Sequence, residues 1–474
     1  MDYDFSYEKS KTFKNIDRLE GVSKVDRTVL YGDDLRNTHI PCETMNSGVR
    51  VGFQDKNGDM FGLNEELLSK HLLLLGGIGS GKSNVLNFMI ESLQKRLTNK
   101  DVMLVFDSKG DYKEKFYRKN DYSHIIIGNQ KEYRDISLSW NIFDEFKNEE
   151  GDFDKDSEEL VKEIVSELFE GRESSVQPFF TQAAIDLTSK IFIHLIRKAK
   201  KSHTEHLLHT DLFVKYVQEA SINTYYNMLI DKDNPDFIGA ISYIGNPNQP
   251  LTPQTLGIFS TIQSMVNDLF VGIFKNRGAN GSFAMRQLIQ KKQGKTIFIE
   301  YDIKKGQILM PIYRLLIDLS LKESLGGRNK DRGNVYFVLD EFRLLPNLKH
   351  IEDALNYGRS LGVKVIAGLQ SIKQLSVAYG EDIADVISSG FMNIFCFQTF
   401  DSKSRKFICE RFGETFETIT YRPTTEAISF QRNAHVIEEW QISELGVGEA
   451  FIQLVGYKPF KFKFNKYEEL HRVL

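Results

Sequence analysis

Short apolar segments alternate with amphipathic segments over much of this 474-residue chain. The apolar runs at 49–53, 71–75, 102–106 and 125–127 have the length of buried strands. Between them, residues 83–97 carry apolar side chains three and four positions apart, which is the spacing of one helix face. Strands that alternate with helices predict a parallel sheet that is covered by helices on both faces.

The same alternation returns in the second half of the chain. The pattern there predicts helices at 309–324 and 348–361, and strands at 296–299, 335–339, 363–369, 394–397 and 450–454. The segment 459–465, PFKFKFN, then alternates apolar and basic residues with a period of two. This period predicts an edge strand with one face in solvent.

The chain between these two regions has a different composition. Its first part, 144–173, is rich in Asp and Glu, which we interpret as a solvated loop and helix face. Long helical patterns follow at 179–196 and 253–274, and no clear strand interrupts them. This block therefore predicts an all-helical insertion.

Composition and charge restrict the class of protein further. Hydrophobic residues make up 41% of the chain and charged residues 27%, as in soluble globular proteins. The net charge of −4 argues against a surface coated with positive charge, although a basic patch or pore lining for nucleic acid remains compatible with it. No apolar run approaches the roughly 18 residues that cross a bilayer, and no signal-peptide pattern is visible. Three cysteines without metal-ligand spacing fit a reducing compartment, so we expect a soluble, cytoplasmic protein.

Residues 76–83 read GGIGSGKS and match the phosphate-binding P-loop pattern. Glycines let such a loop curl tightly and direct its backbone N–H groups at phosphate oxygens. Lys82 is expected to reach the β and γ phosphates of ATP, and Ser83 to supply a hydroxyl to Mg²⁺. The strand before the loop and the helix after it are the context that the pattern requires. The predicted nucleotide-binding residues are Gly76, Gly77, Ile78, Gly79, Ser80, Gly81, Lys82, Ser83 and Asn84.

A P-loop ATPase also needs an acidic strand end, and the run VYFVLDE at 335–341 supplies one. This buried strand would deliver Asp340 and Glu341 at its carboxyl end. Asp340 would hold Mg²⁺ through water, and Glu341 would orient and deprotonate the attacking water. A structural alternative remains open, because acidic residues after strands also serve as helix N-caps.

Two further polar residues complete the predicted catalytic set. Gln370 ends a predicted strand and is placed to sense the γ-phosphate, although an ordinary strand-end hydrogen bond is also compatible with it. Arg359 ends the helix after the acidic strand. It is compatible with a transition-state contact to a neighbouring subunit's nucleotide, or with a cation at a helix C-terminus. The roles of three further residues at a predicted strand end stay open: Asp107, Lys109 and Asp111.

Together, the motifs and the order of elements predict an α/β fold. It consists of a RecA-like P-loop ATPase core with a parallel-rich central sheet and an inserted all-α domain. The predicted motor domain comprises 49–143 and 291–474, the all-α domain 144–290, and an N-terminal extension 1–48. The boundaries follow from where the strand–helix alternation stops and returns.

The region 339–384 resembles conjugative type IV secretion coupling proteins of the TraD/TraG kind. Its sequence is LDEFRLLPNLKHIEDALNYGRSLGVKVIAGLQSIKQLSVAYGEDIA. The shared pattern is a DE pair, a leucine–proline turn, a helix ending in GR, a strand ending in Gln-Ser, and a Gln-Leu…Tyr-Gly segment. These proteins belong to the HerA/FtsK group of hexameric DNA-pumping ATPases. The resemblance spans about 49–456 and includes FDSKGD at 106–111, Trp140-Asn141, DSKS at 401–404 and Phe412-Gly413.

The resemblance implies an ATP-driven motor that works as a homo-hexameric ring and moves single- or double-stranded DNA without sequence preference. It implies that the all-α domain contacts the relaxosome. Family members commonly carry N-terminal transmembrane helices, and this sequence shows no such pattern, so we expect contact with the inner face of the membrane through a partner. The implied site residues are Lys82 and Ser83 for the nucleotide, Asp340 and Glu341 for hydrolysis, Gln370 as a sensor and Arg359 as an arginine acting in trans.

Three functions remain open at this point. The first is a coupling protein of conjugative DNA transfer, whose partners are a relaxase and secretion-channel proteins. The second is a HerA-like ring ATPase that assembles with a nuclease or effector in DNA repair or phage defence. The third is an ATP-gated scaffold with little hydrolysis, which the combination of Lys82, Asp340, Glu341 and Gln370 disfavours.

Overall fold

The computed structural model describes residues 23–35, 39–172, 178–326, 333–422 and 428–471. The predicted N-terminal extension lies partly outside these residues. The strands are β1 Ser23–Gly32, β2 Val49–Gln54, β3 Met60–Asn64, β4 Leu72–Leu75, β5 Val102–Asp107, β6 His124–Gly128, β7 Ser139–Trp140, β8 Ser282–Phe283, β9 Lys295–Glu300, β10 Val335–Leu339, β11 Val363–Leu369, β12 Asn393–Phe397, β13 Glu414–Arg422, β14 Ile428–His435, β15 Glu449–Gln453 and β16 Phe460–Lys463. The helices are α1 Glu65–Leu68, α2 Lys82–Gln94, α3 Asp111–Phe116, α4 Ile142–Glu145, α5 Ser157–Leu168, α6 Pro178–Ser202, α7 Thr210–Glu219, α8 Ile222–Leu229, α9 Ile241–Ile244, α10 Pro253–Leu269, α11 Met285–Lys291, α12 Gly306–Leu325, α13 Ile351–Tyr357, α14 Ile372–Tyr379, α15 Glu381–Gly390, α16 Ser402–Phe412, α17 Glu439–Ser443 and α18 Tyr467–His471.

A nine-stranded sheet forms the centre of the protein, in the order β16-β15-β12-β4-β11-β10-β5-β9-β6. The strands from β12 to β6 run parallel, and β15 and β16 join antiparallel at one edge. This arrangement confirms the predicted α/β fold with a parallel-rich sheet. Because β11 lies between β4 and β10, the carboxyl ends of these three strands meet at the same edge.

Strand β4 shows why the central strands are apolar throughout. Its four leucines are all buried, because successive side chains point to opposite faces of a sheet that is covered on both sides. Leu73 and Leu75 belong to one hydrophobic core, and Leu72 and Leu74 to a second. Helix α2 packs in the second core, whereas α12 and the helices of the inserted segment pack in the first.

The predicted elements around this sheet are present, with most ends shifted by one to three residues. The strands Val335–Leu339 and Val363–Leu369 have the predicted bounds. The predicted helix 348–361 is divided, since α13 ends at Tyr357 and the 3₁₀ turn Gly358–Leu361 follows. Gly362 then has φ +82°, the left-handed conformation in which glycine commonly ends a helix.

The C-terminal strand β16 lies at the end of the sheet, as predicted for an edge strand. Phe460 and Phe462 are buried, whereas Lys461 and Lys463 are exposed. Both lysines pair with Glu449 on β15, at 3.0 and 3.2 Å. Charged side chains of this kind also protect a sheet edge against pairing with a further strand.

The segment between β7 and β9 is mainly helical and packs through α6, α10 and α5. It contacts the region of the central sheet through α12, which packs against α5, α10 and α11. The block that was predicted to contain no strand does contain one, the two-residue strand β8. It pairs with β7, which lies just before the block. Within the described ranges, no helix combines the length and apolar character that are needed to cross a membrane.

Two antiparallel structures were not predicted. Strands β13 and β14 form a long hairpin, and β1 pairs with β13. The strand predicted at 49–53 is present as β2, but it pairs antiparallel with β3 outside the main sheet and is not part of the predicted parallel sheet. Glu417 of β13 is fully buried and accepts hydrogen bonds from Arg27 of β1 and Arg432 of β14. Arg27 and Glu417 are 390 positions apart, so no local pattern in the sequence shows this contact.

Gly368 on β11 allows a close approach of the chain after β10. A Cβ at this position would lie 2.2 Å from the backbone oxygen of Asp340. Gly368→Ala is therefore expected to lower the free energy of unfolding by about 2 to 3 kcal/mol in denaturant titrations, since β10 has to shift. Gly239→Ala is the matched control, because nothing lies within 4 Å of a Cβ there, and its effect should stay within about 0.5 kcal/mol. Equal effects of the two substitutions would contradict the close packing.

Candidate functional site

The predicted P-loop joins β4 to α2 at the carboxyl edge of the sheet. Gly76 N–H donates to the oxygen of Leu369 at the end of β11 (3.1 Å), and Gly77 N–H to that of Gln398 after β12 (2.8 Å). Gly448 N–H donates to the oxygen of Ser80 (2.9 Å). Backbone contacts from three other segments therefore hold the loop in place.

Two glycines give the loop its curvature. Gly79 has φ +74° and Gly81 has φ +118°, values that side-chain-bearing residues rarely adopt. A Cβ at Gly81 would also lie 3.0 Å from the Cα of Gly448. Ile78 at the loop tip is largely exposed. The loop can therefore curl around an anion at the N-terminal end of the 13-residue helix α2.

The Lys82 ammonium group is buried inside the loop. Its Nζ donates hydrogen bonds to the backbone oxygens of Gly76 and, at 3.0 Å, of Gly77. Burial lowers the pKa of Lys82, and the charges of Asp340 and Glu341 oppose that shift. A buried cation that is held by neutral carbonyls can form strong charge-assisted hydrogen bonds with an anion.

Asp340, Glu341 and Gln370 lie together beside Lys82. Asp340 is the first residue after β10, and Gln370 is the first after β11. Gln370 Nε2 donates to Glu341 Oε2 at 2.8 Å. The structure therefore brings four of the predicted catalytic residues to one edge of the sheet.

Arg343, which the sequence analysis did not select, also contacts Glu341. Its Nε donates to Glu341 Oε1 at 2.8 Å from the 3₁₀ turn Phe342–Leu344. With Gln370 on the other oxygen, both carboxylate oxygens of Glu341 are hydrogen-bonded, and the carboxylate is held in one orientation. The only signal in the sequence was the position of Arg343, two residues after Glu341.

Tyr112 is a second residue that sequence reasoning missed. Its buried hydroxyl lies near both Ser83 and Asp340, although it forms no hydrogen bond of standard geometry within the described residues. Burial raises the pKa of Asp340 to about 6, and Tyr112 and Lys109 oppose that shift. Ser83 and Asp340, the two predicted magnesium ligands, therefore face the same small region.

These residues fit a nucleoside triphosphate and Mg²⁺. Protein-bound Mg²⁺ typically takes one or two carboxylate or hydroxyl oxygens and completes its octahedral shell with phosphate oxygens and water. Ser83 and Asp340 supply such oxygens, and Lys82 supplies a cation for the phosphates. Across the described ranges, no group of three or more His, Cys, Asp or Glu side chains has a metal-binding arrangement. The donor set thus suits a metal that arrives with its phosphate ligands.

The burial of Asp340 predicts a pH dependence of stability in the nucleotide-free protein. The pKa of Asp340 rises from 3.8 to about 6 on burial, so folding favours proton binding between these pH values. As pH rises through this window, the ionised carboxylate increasingly destabilises the folded state. Relative to wild type, the unfolding free energy of Asp340→Asn should therefore increase by roughly 2 to 3 kcal/mol between about pH 4 and pH 6 and then level off. Chemical unfolding at a series of pH values measures the difference, and a constant difference would contradict the prediction.

The three residues at the end of β5 whose roles the sequence left open, Asp107, Lys109 and Asp111, lie in different environments. The Asp107 carboxylate shapes the turn into α3 by accepting four backbone N–H groups, at 2.8 to 3.1 Å, from Lys109, Gly110, Tyr112 and Lys113. Lys109 lies near the nucleotide site, since its charge lowers the pKa values of Lys82 and Asp340. Asp111 is exposed in the first turn of α3.

Asn84, the last of the predicted nucleotide-binding residues, uses its side chain elsewhere. Its Nδ2 donates to the oxygen of Asn465 (2.8 Å), and its Oδ1 accepts from Tyr467 N–H (2.7 Å). These bonds attach the C-terminal segment to α2. A nucleotide contact of Asn84 would therefore come from its backbone.

The DSKS motif connects to the end of β11. Asp401 caps α16 by accepting from the backbone N–H and the hydroxyl of Ser404, at 2.9 and 2.6 Å. The same Asp401 oxygen accepts from the Ser371 hydroxyl at 2.9 Å. Since Ser371 follows Gln370, this motif supports the strand end that carries the predicted sensor.

Arg359 is not brought to this edge of the sheet. The turn Gly358–Leu361 leads into the amino end of β11, which is the opposite edge. Lys70 and, more weakly, Arg359 lower the pKa of Glu66, so Arg359 lies near the amino end of β4. Arg359 is exposed there. A catalytic contact of Arg359 would therefore require a second copy of the chain.

The fold and the site together define an α/β protein with a RecA-like P-loop ATPase core and a helical insertion. Solved structures of the bacterial conjugative coupling protein TrwBdeltaN70 share this architecture. The unbound form has a TM-score of 0.69 at 18% identity and covers 94% of this chain and 96% of that chain. The complex of TrwB with the ATP analogue ADPNP has a TM-score of 0.65 at 18% identity and covers 94% of each chain. VirB4 of Thermoanaerobacter pseudethanolicus is more distant, with a TM-score of 0.52 at 11% identity, covering 89% of this chain and 97% of that one.

Two type IV secretion system-coupling proteins named VirD4 are similar in sequence. The protein from Bartonella henselae is 23% identical over 301 residues, and that from Bartonella quintana is 22% identical over 301 residues. The matched part is 61% of this chain but only 46% of each relative. A family model described as the type IV secretion-system coupling protein DNA-binding domain matches residues 60–435. The chain belongs to this family, which confirms the resemblance inferred from its motifs.

Proposed function

We propose that this protein hydrolyses ATP and uses the free energy to move DNA through a hexameric ring in type IV secretion, as in conjugative transfer. The observation that supports the proposal most strongly is the convergence of Lys82, Asp340, Glu341 and Gln370 at one edge of the sheet. A protein that only binds nucleotide does not need a buried, oriented carboxylate beside its phosphate site. The site therefore favours a hydrolytic motor over a scaffold.

The P-loop residues hold the triphosphate. Backbone N–H groups of the loop surround the phosphates, and Lys82 exchanges its bonds to loop carbonyls for bonds to the β and γ phosphate oxygens. Ser83 and Asp340 would hold Mg²⁺, Asp340 through water. When bound, Mg²⁺ neutralises charge that develops on the phosphate oxygens.

Glu341 acts as the general base for hydrolysis. It accepts a proton from the water whose oxygen attacks the γ phosphorus, while the bond to the ADP oxygen breaks. Gln370 and Arg343 keep its carboxylate oriented. Gln370 also contacts the γ-phosphate, so loss of that phosphate alters the end of β11 and, through Ser371, helix α16.

Arg359 acts on the nucleotide of a neighbouring subunit. In a head-to-tail ring, one surface of each subunit meets a different surface of the next. An exposed arginine at the sheet edge opposite the P-loop suits such a contact, and its charge would stabilise the transition state in trans.

Mixing inactive variants tests the ring. Arg359→Ala and Lys82→Ala subunits are each expected to hydrolyse ATP poorly, whereas a mixture should exceed the mean of the two, since some sites combine an intact P-loop with an intact arginine. A mixture of Lys82→Ala and Glu341→Gln is the control, because both changes affect the same half of the site. Equal rates in the two mixtures would contradict the trans contact.

DNA is the proposed substrate, and a relaxase and secretion-channel proteins are the proposed partners. The family match and the coupling-protein relatives support this choice over a nuclease-associated ATPase. We assign the motor to 49–143 and 291–474, and we assign contact with the relaxosome to the helical domain 144–290. The protein would work at the cytoplasmic face of the membrane through its secretion partners.

Phosphate release with and without single- and double-stranded DNA tests the motor function. Wild type should be stimulated severalfold by at least one DNA form, and Glu341→Gln should stay inactive with both. No stimulation by either form would overturn the motor proposal. A pulldown that finds neither a relaxase nor a secretion ATPase would overturn the transfer context.

A further inference from the structure

Three large apolar side chains are exposed on the P-loop and on the two segments that contact it. Ile78 at the loop tip, Phe400 after β12 and Val447 before β15 are 85%, 72% and 68% exposed. A single exposed apolar residue is common on a protein surface and needs no explanation. Several of them around one anion-binding loop are typical of a surface that receives the apolar part of a ligand.

Backbone contacts fix the segments of Phe400 and Val447 against the loop. Gln398, two positions before Phe400, accepts the Gly77 N–H at 2.8 Å. Gly448, which follows Val447, donates its N–H to a loop oxygen at 2.9 Å. The two exposed side chains therefore belong to segments that lie directly beside the P-loop.

The order of strands places these segments at the end of the site that the phosphates leave free. Strand β4, which leads into the P-loop, has β11 on one side and β12 on the other. Gln370 and Glu341 lie on the β11 side, where the proposed mechanism places the γ-phosphate. Because the triphosphate extends along the loop, the ribose and the base then lie toward β12 and β15. This is the side that carries Phe400 and Val447.

The backbone of Phe400 is anchored although its ring is exposed. Arg405 Nη1 donates to the Phe400 oxygen at 2.6 Å, and Arg405 Nε pairs with Glu439 at 3.1 Å. The next residue, Asp401, caps α16 through the Ser404 N–H. An aromatic ring on an anchored segment loses little conformational freedom when a flat ligand stacks on it.

We infer that Phe400, Val447 and Ile78 form the subsite for the base of the nucleotide, and that the Phe400 ring stacks on the face of the base. Stacking uses the π-face that every base has, and apolar contacts from the other two side chains cover the rest. This inference rests on the proposed binding of ATP at the P-loop and adds how the base is held.

The subsite is expected to prefer purines over pyrimidines, because a two-ring base covers more of the Phe400 ring than a one-ring base. Two amide side chains beside the loop already have hydrogen bonds within the chain. Gln398 Nε2 donates to the Ser443 oxygen at 2.9 Å, and Asn84 bonds to the C-terminal segment. Recognition of the base therefore comes mainly from stacking area.

Two substitutions of Phe400 test the subsite in the full chain. Phe400→Ala removes the ring, and Phe400→Trp keeps a flat aromatic surface. Phe179→Ala is the matched control, since Phe179 is also an exposed phenylalanine (47%) but lies on α6 of the helical insertion. Titration calorimetry with Mg²⁺ measures binding of ATP, of UTP and of inorganic tripolyphosphate, which has the phosphates without a base.

Phe400→Ala should bind ATP about tenfold more weakly than wild type and tripolyphosphate equally well, since only the base contacts the ring. The preference for ATP over UTP should shrink in the same variant. In steady-state hydrolysis KM should rise about tenfold at unchanged kcat, because stacking is the same before and during the reaction. Phe400→Trp and Phe179→Ala should bind ATP as wild type does.

Unchanged ATP affinity in Phe400→Ala would overturn the inference, and so would an equal loss for ATP and tripolyphosphate. A smaller assembly in sedimentation with unchanged ATP affinity would assign the Phe400 ring to a contact between copies of the chain, which also overturns it. The phosphate site is tested separately, by tripolyphosphate binding in wild type that Lys82→Ala lacks. Failure of that binding would contradict the proposed function, whatever Phe400→Ala shows.

Discussion

Replacing Glu341 by glutamine is expected to lower the rate of ATP hydrolysis at least about a hundredfold while ATP stays bound. General-base catalysis contributes roughly 10² to 10⁴ to such rates, and an amide cannot accept the water's proton. The shape of the site should persist, since the amide oxygen can still accept the bond from Gln370 or Arg343. Single-turnover hydrolysis and equilibrium binding of a fluorescent ATP derivative measure the two quantities separately.

The control for this prediction is Glu410→Gln, which makes the same chemical change on the exposed surface of α16. It should hydrolyse ATP at the wild-type rate. If Glu341→Gln also retained the wild-type rate, Glu341 would not be the base, and its bonds to Gln370 and Arg343 would be structural.

Replacing Lys82 by alanine is expected to weaken ATP binding roughly 50- to 100-fold. The substitution removes a buried cation whose charge-assisted bonds to phosphate are each worth about 1.5 to 3 kcal/mol. Stability without nucleotide should not fall much, because burial lowers the pKa of Lys82 and therefore disfavours its charged form in the free protein. Thermal unfolding with and without ATP·Mg²⁺ should show an ATP-dependent rise in wild type that the variant lacks.

Lys95→Ala is the matched control, since Lys95 lies at the other end of α2, where it pairs with Glu91 of the preceding turn at 2.6 Å. It should retain the ATP-dependent rise in melting temperature. A rise in Lys82→Ala equal to that of wild type would show that ATP stabilises the chain at a different site.

The elements that could be predicted are those that are specified by the pattern of apolar and polar residues within one short segment. The strands Val335–Leu339 and Val363–Leu369 are unbroken apolar runs, because both faces of the central sheet are covered. The hairpin of β13 and β14 escaped prediction because its strands carry mixed polar and apolar residues, and their pairing with β1 depends on the buried Glu417. Such a contact is set by tertiary packing and leaves no periodic signal.

The candidate site likewise contains residues that the sequence predicts and contacts that only the fold shows. Lys82 and Ser83 follow from a contiguous motif, and Asp340 and Gln370 follow from the rule that strand ends carry site residues. Neither pattern shows that Gln370 bonds directly to Glu341. Nor does either pattern show that the Asp107 carboxylate accepts the backbone N–H groups of the turn into α3.

The sequence by itself determined the phosphate-binding loop, the acidic strand end, the fold class and the family, because each depends on residues that are adjacent or regularly spaced. Only the tertiary structure decided which of these residues meet. It placed β11 between β4 and β10 and so joined Gln370 to Glu341, and it put Arg359 at the opposite edge. It also placed Asn129, which follows β6, next to Glu300 at the end of β9. Their side chains come from segments about 170 positions apart, and only the parallel pairing of β6 with β9 makes them neighbours.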